Sequence, residues 1–202
     1  MKQMLTALTA LAVIAAPAAA APVVGKPAPN FKLADANGKP VTLSDFRGKT
    51  VVLEWHNPSC PFVLKHYDSG NMQKAQAAAA KDGVVWLTIN SGAPGKQGHV
   101  SGAEAKAFVS KAGARPAAYL LDPRGDVGRA YGARTTPHMY IINGSGTLVY
   151  AGGIDDRPTA NPADIEGARN HVLAALSELK AGRAVSVPTS RPYGCSVKYA
   201  NS

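Results

Sequence analysis

Val51-Val52-Leu53-Glu54-Trp55-His56-Asn57-Pro58-Ser59-Cys60-Pro61-Phe62-Val63 decides how this chain is read. Thr50 to Trp55 is an almost unbroken apolar run, the pattern of a strand buried on both faces. From Pro61 the spacing turns helical, with proline suited to the first helical position. Cys60 therefore stands at a strand-to-helix junction. A helix N-terminus carries unpaired N–H groups and a partial positive charge, which favour thiolate over thiol and lower a cysteine pKa from about 8.5 to as little as ~3.5.

Working outward, residues 29–49 alternate apolar and polar around Asn37-Gly38-Lys39, which predicts an N-terminal β-hairpin with Phe31, Leu33, Val41 and Leu43 on one face. The helical pattern after Pro61 continues through the alanine-rich stretch 73–81, with a break at Gly70 and a stop at Gly83. Val84 to Ile89 predicts a second buried strand, and Ser101-Gly102-Ala103-Glu104 has the capping-box spacing that opens a helix to Ala112. Strands are expected at 118–122, 139–143 and 147–151, the last two forming a hairpin about Asn143-Gly144-Ser145-Gly146. Asn161-Pro162 is the expected cap of a final helix in which Ile165, Ala168, Val172, Leu176 and Leu179 recur at helical spacing. The Pro/Ser-rich tail from Val185 reads as irregular. This order predicts an α/β sandwich: a mixed central sheet with helices on both faces and an N-terminal β-hairpin.

Met1-Lys2-Gln3, the apolar run from Met4 to Ala16 and the small-residue end at Ala18-Ala19-Ala20 read as a signal peptide over residues 1–20. The run is shorter than the ~20 apolar residues of a membrane-spanning helix, so no stable membrane insertion is expected. The remaining ~180 residues suit one domain, placed at 24–182, followed by a tail at 183–202 that carries Cys195. Export implies a periplasmic or extracellular setting, where disulfides form and persist. The formal net charge is +9, but lysines and arginines are scattered from Lys26 to Lys198 with few aromatics between them, which argues against nucleic acid as a partner. Pro94-Gly95-Lys96-Gln97 lacks the glycine spacing and the hydroxyl residue of a phosphate loop, so nucleotide binding is set aside and no cofactor is implied.

Four segments together resemble the thioredoxin-like superfamily in its redoxin branch, which holds the peroxiredoxins and the exported thiol-disulfide reductases. They are Ala28-Pro29-Asn30-Phe31-Lys32-Leu33, the strand into Cys60, Tyr131-Gly132-Ala133-Arg134-Thr135-Thr136-Pro137, and Ile141-Ile142-Asn143-Gly144-Ser145-Gly146. The resemblance runs from about residue 28 to 182 and implies a thioredoxin-like sandwich with Cys60 as the nucleophile toward a disulfide or a hydroperoxide. It also implies that Thr136-Pro137 is the cis-proline beside the reactive sulfur, which leaves the preceding backbone to pair with an extended substrate. Arg134 would stabilise a thiolate or peroxide oxygen, unless it is simply exposed. Glu54 matches the buried acid that moves protons in thioredoxins, the alternative being a carboxylate paired with a lysine.

This chain also departs from the resemblance. Val63 stands where thioredoxins carry their second cysteine, and Asn57 where peroxiredoxins carry Thr or Ser, although an amide still donates a hydrogen bond. Any resolving thiol within the chain must be Cys195, brought by a moving tail or by a second subunit if the two lie apart. An external thiol reductant would then reset the pair. Two other readings stand beside this one. Cys60, His66 and His138 could converge on a soft metal such as copper, though without the second close thiolate such sites use. Alternatively Cys60 and Cys195 form a permanent staple of a non-catalytic binding module, closing a loop of about 135 residues and contributing on the order of 4 to 5 kcal/mol.

Overall fold

In the computed structural model, which describes residues 21–200, seven strands form one mixed sheet. The segment read as a signal peptide, residues 1–20, lies outside the described residues. Strand β3 (Val51–Trp55) is central: it runs parallel to β4 (Val85–Asn90) and antiparallel to β7 (His138–Ile142). Beyond β4 lies β5 (Ala118–Leu121), then the hairpin of β1 (Lys32–Asp35) and β2 (Pro40–Thr42); beyond β7 lies β8 (Leu148–Gly152). The parallel step from β3 to β4 is made by α1 (Pro61–Asp68) and α2 (Asn71–Lys81), separated at Gly70, whose φ of +75° few other residues tolerate.

Alternation along β3 sorts the layers. Val52 packs with Val63 of α1, Met72 and Ala75 of α2, and Leu176 of α5 (His171–Lys180). Val51, Leu53 and Trp55 face the other way, against Tyr131, Tyr140 and Val127 of the short helix α4 (Asp126–Ala130). Helix α3 (Gly102–Ala112) carries the capping box at Ser101 and Glu104, and its Ala105 packs with Tyr119 of β5. Both faces of the sheet are therefore covered, which is why every residue of β3 is buried.

Three local expectations differ from what is observed. Asn161 caps only a single 3-10 turn, Pro162–Ile165; the chain then turns at Gly167 (φ +76°), and α5 is capped by Asn170, whose side chain accepts from Leu173 N at 2.9 Å. Val172, Leu176 and Leu179 keep the expected spacing within α5, whereas Ile165 and Ala168 lie before its cap. Helix α4 is too short to show a period in the sequence. The tail is not irregular throughout: Cys195–Ser196 form β9, antiparallel to β6 (Thr135–Thr136).

Leu53 is fully buried at the centre of the sheet. Leu53→Ala is expected to lower stability by about 2–5 kcal/mol in urea unfolding, and a loss below about 1 kcal/mol would mean that this layer is loosely packed.

Candidate active site

The site is built where β3 ends. His56 N donates to Ile89 O at 2.9 Å, the last rung shared with β4. The chain then folds on itself: Ser59 N donates to Asn57 Oδ1 (2.9 Å) and Cys60 N to Asn57 O (3.1 Å). This turn delivers Cys60 to the N-cap position of α1 with Pro61 behind it as the first helical residue. Asn57 is thus a turn-former; its amide donates to Gln97 Oε1 at 3.1 Å.

Cys60 is fully buried beneath the C-terminal tail. The Thr136–Pro137 peptide is cis, as the sequence resemblance implied, and Cys60 Sγ donates to Thr136 O at 3.1 Å. Along the same strand, Thr136 pairs with Cys195 and Thr135 with Ser196, so the tail's own cysteine lies against Cys60. Both are free thiols, and the Cys195 thiol is within hydrogen-bonding reach of the Cys60 sulfur. Burial pushes the Cys60 pKa up. Hydrogen bonds from the Cys195 thiol, the Thr136 side chain and the backbone N–H groups of Cys195 and Val63 outweigh it and hold Cys60 below the ordinary thiol value. Cys195 moves the other way, to about 11, through burial and through donating to and facing the Cys60 sulfur. The pair is polarised: Cys60 is the more acidic of the two thiols and Cys195 the less acidic.

The tail is tied down along its length. Ser190 Oγ contacts Tyr150 OH (2.7 Å) and accepts from Gly153 N (2.9 Å), Val197 N donates to Arg134 O (3.0 Å), and Ala93 N donates to Lys198 O (2.8 Å). Close approach demands glycine: a Cβ on Gly152 would collide with Ser190, and one on Gly194, whose φ is +128°, with Thr136 O. A cavity of about 570 Å³, lined by Phe62, Thr135, Asp155, Tyr193 and Gly194 among others, opens along the tail segment that precedes Cys195.

The remaining expected residues fall in different places. Glu54 is fully buried and has no lysine partner among its contacts; it accepts from Trp86 Nε1 (2.8 Å), Tyr67 OH (2.8 Å) and Thr88 Oγ1 (3.1 Å). Burial raises its pKa against these hydrogen bonds, but none of them leads directly to Cys60. Arg134 is exposed, and it serves the site through its backbone carbonyl rather than through its guanidinium. His138 is buried and bonded to Tyr140 OH (3.1 Å), and His66 to Tyr193 OH (3.2 Å) and Asn71 (2.8 Å). Among the described residues no group of three His, Cys, Asp or Glu is placed to hold a metal ion. The sequence reading missed Lys65 and Asp155, buried charges whose only signal was a lysine inside the apolar spacing of α1.

The chain matches the AhpC/TSA family over residues 24–151. Among solved structures it is similar to an uncharacterised conserved protein from Geobacillus kaustophilus (29% identity, 89% of this chain and 94% of that one, TM-score 0.75). It is also similar to a hypothetical protein from Sinorhizobium meliloti 1021 (27%, 89% and 96%, TM-score 0.74). A putative thiol:disulfide interchange protein from Chlorobium tepidum shares the fold (24%, 65% and 85%, TM-score 0.53). No curated protein matches the chain.

Two pH dependences follow. Ultraviolet thiolate absorbance should titrate in two steps, one below the ordinary thiol range and one near 11, with Cys60→Ser removing the lower; a single step at or above about 8.5 would contradict the polarised pair. Burial also lowers His56 and His138 to about 3 and His66 to about 4, from 6.5. The unfolded chain then binds more protons, so these histidines stabilise the fold above 6.5 and that stability is lost as pH falls toward their folded values. Glu54, raised, acts with the opposite sign. His56→Gln should flatten the slope of unfolding free energy by about 1.4 kcal/mol per pH unit between about pH 4 and 6, as read from urea midpoints.

Proposed function

The chain belongs to the AhpC/TSA family, and from that premise we propose that it is an exported thiol-disulfide oxidoreductase whose working pair is Cys60 and Cys195. The observation that carries this reading is the pairing of β9 with β6, which sets Cys195 opposite Thr136, whose carbonyl accepts from Cys60 Sγ at 3.1 Å; the two thiols' pKa values shift in opposite directions beside it. The Cys60 thiolate attacks a substrate disulfide, forming a mixed disulfide and releasing one substrate thiolate. That bond consumes the negative charge facing Cys195, and with it part of what holds Cys195 protonated. Cys195 gives its proton to the departing thiolate and attacks the Cys60 sulfur. The second substrate sulfur leaves as a thiolate that takes a proton from solvent, and the Cys60–Cys195 disulfide holds the two electrons' worth of oxidation until an external thiol reductant resets it.

Thr136 and Pro137 form the wall against the sulfur in this reading, and Asn57 shapes the turn that presents it. A disulfide is favoured over a hydroperoxide because Arg134 is turned outward and the Asn57 amide is engaged with Gln97, so neither is aimed at a peroxide oxygen. Export rests on the leader pattern of residues 1–20; no helix among the described residues is long and apolar enough to cross a membrane.

Stopped-flow mixing of the reduced protein with a peptide disulfide and, separately, with hydrogen peroxide tests this. Disulfide should oxidise wild type, Cys60→Ser should be inert, and Cys195→Ser should stop at a trapped mixed disulfide. Oxidation by peroxide more than about tenfold faster would move the substrate to hydroperoxides. Oxidation unaffected by Cys60→Ser would end the proposal.

A further inference from the structure

Behind the tail lies a cluster of charged and polar groups for which thiol exchange has no direct use. Asp155 is buried, with Lys65 Nζ 3.7 Å and His66 Nε2 3.8 Å from its Oδ2; Lys65 and His66 are themselves buried in α1. Lys65 Nζ also donates to Arg157 O (2.8 Å), and Arg157 N to Asp155 Oδ1 (2.9 Å). Into this cluster the tail inserts one side chain. The Tyr193 hydroxyl donates to Asp155 Oδ1 and lies 3.2 Å from His66 Nε2, while its ring stands 5.6 Å from Lys65 Nζ and 6.0 Å from the Phe62 ring. Tyr193 is anchored two residues before Cys195 and rests on the same helix that Cys60 caps.

The cluster has a second consequence, through β9. The backbone edge of β6 that an outside extended segment would pair with is already taken by Cys195 and Ser196. Cys60 is wholly inaccessible while the tail is in place, whereas Cys195 is partly buried. The tail is thus both the carrier of the second thiol and the cover over the first.

We propose that Tyr193 is a positioning residue: through Asp155 and His66 it pins residues 189–199 across the site, setting the local concentration of Cys195 at Cys60 and the access of any outside reagent to Cys60. This rests on the thiol-exchange reading for its purpose but not for its test. A hydrogen bond to a buried carboxylate is strong enough that losing it should raise the open population by about tenfold or more.

The test uses the full chain in a Cys195→Ser background, where Cys60 is the one remaining thiol. The rate of Cys60 alkylation by iodoacetamide is measured across pH, so that thiolate fraction and access separate. Tyr193→Phe, which keeps the ring, should alkylate about tenfold faster or more at equal thiolate fraction. Gly194→Ala should do the same, since a Cβ there collides with Thr136 O and lifts the tail while leaving Tyr193 intact. If Tyr193→Phe fails to fold, Asp155→Asn, which removes the charge that the Tyr193 hydroxyl donates to, decides by the same faster alkylation. Folded variants that alkylate at the parent rate would overturn the proposal even in an active oxidoreductase. Faster alkylation without any thiol exchange would leave the pinned tail standing and remove the proposed function.

Discussion

The pairing of Thr136 with Cys195 is the contact on which the rest of the site depends. Without it the chain has a buried cysteine at a helix N-cap and a distant second thiol in a Pro/Ser-rich tail. With it, two thiols far apart in sequence are brought to the two sides of one peptide: Cys195 pairs with Thr136, whose carbonyl accepts from Cys60 Sγ. Everything else near the site serves that geometry: glycines where the tail comes close, a serine bridging Tyr150 and Gly153, and a tyrosine inserted into a buried charge cluster.

The electrostatics follow from the same contact. A thiolate in a dry environment is unfavourable unless donors replace the lost water. Here the replacement comes from two directions, the first turn of α1 and the tail. The tail supplies both the Cys195 thiol and the Cys195 N–H, so its departure would remove much of what lowers the Cys60 pKa. Access and activation are therefore opposed. The closed form has the better nucleophile and no room for a substrate, whereas an opened form has room and a weaker one.

How far this was legible in the sequence depends on the range of the forces. The β3-to-α1 junction, the Gly70 break and the capping box at Ser101 are local, and each stands where its residues imply. Thr136–Pro137 was legible only through family resemblance, since the dipeptide alone does not choose an isomer. The tail was not legible: β9 has no period, and its conformation is imposed by Gly152, Asp155 and Thr136, 38 residues away from their tail partners in the first two cases and 59 in the last. Arg134 shows the same limit in reverse. Its position was foreseen, but the side chain faces solvent while its carbonyl holds Val197. Lys65 and Asp155 escaped notice because buried charges are rare and each is explained only by the other.

The most direct measurement is peptide mapping by mass spectrometry of the protein oxidised at high dilution, without reduction. A Cys60–Cys195 disulfide within one chain, formed to the same extent at every protein concentration, is the predicted result. Disulfide-linked dimers that grow with concentration, or a Cys60 oxidised while Cys195 stays a free thiol, would contradict the placement of the tail's cysteine on the nucleophile.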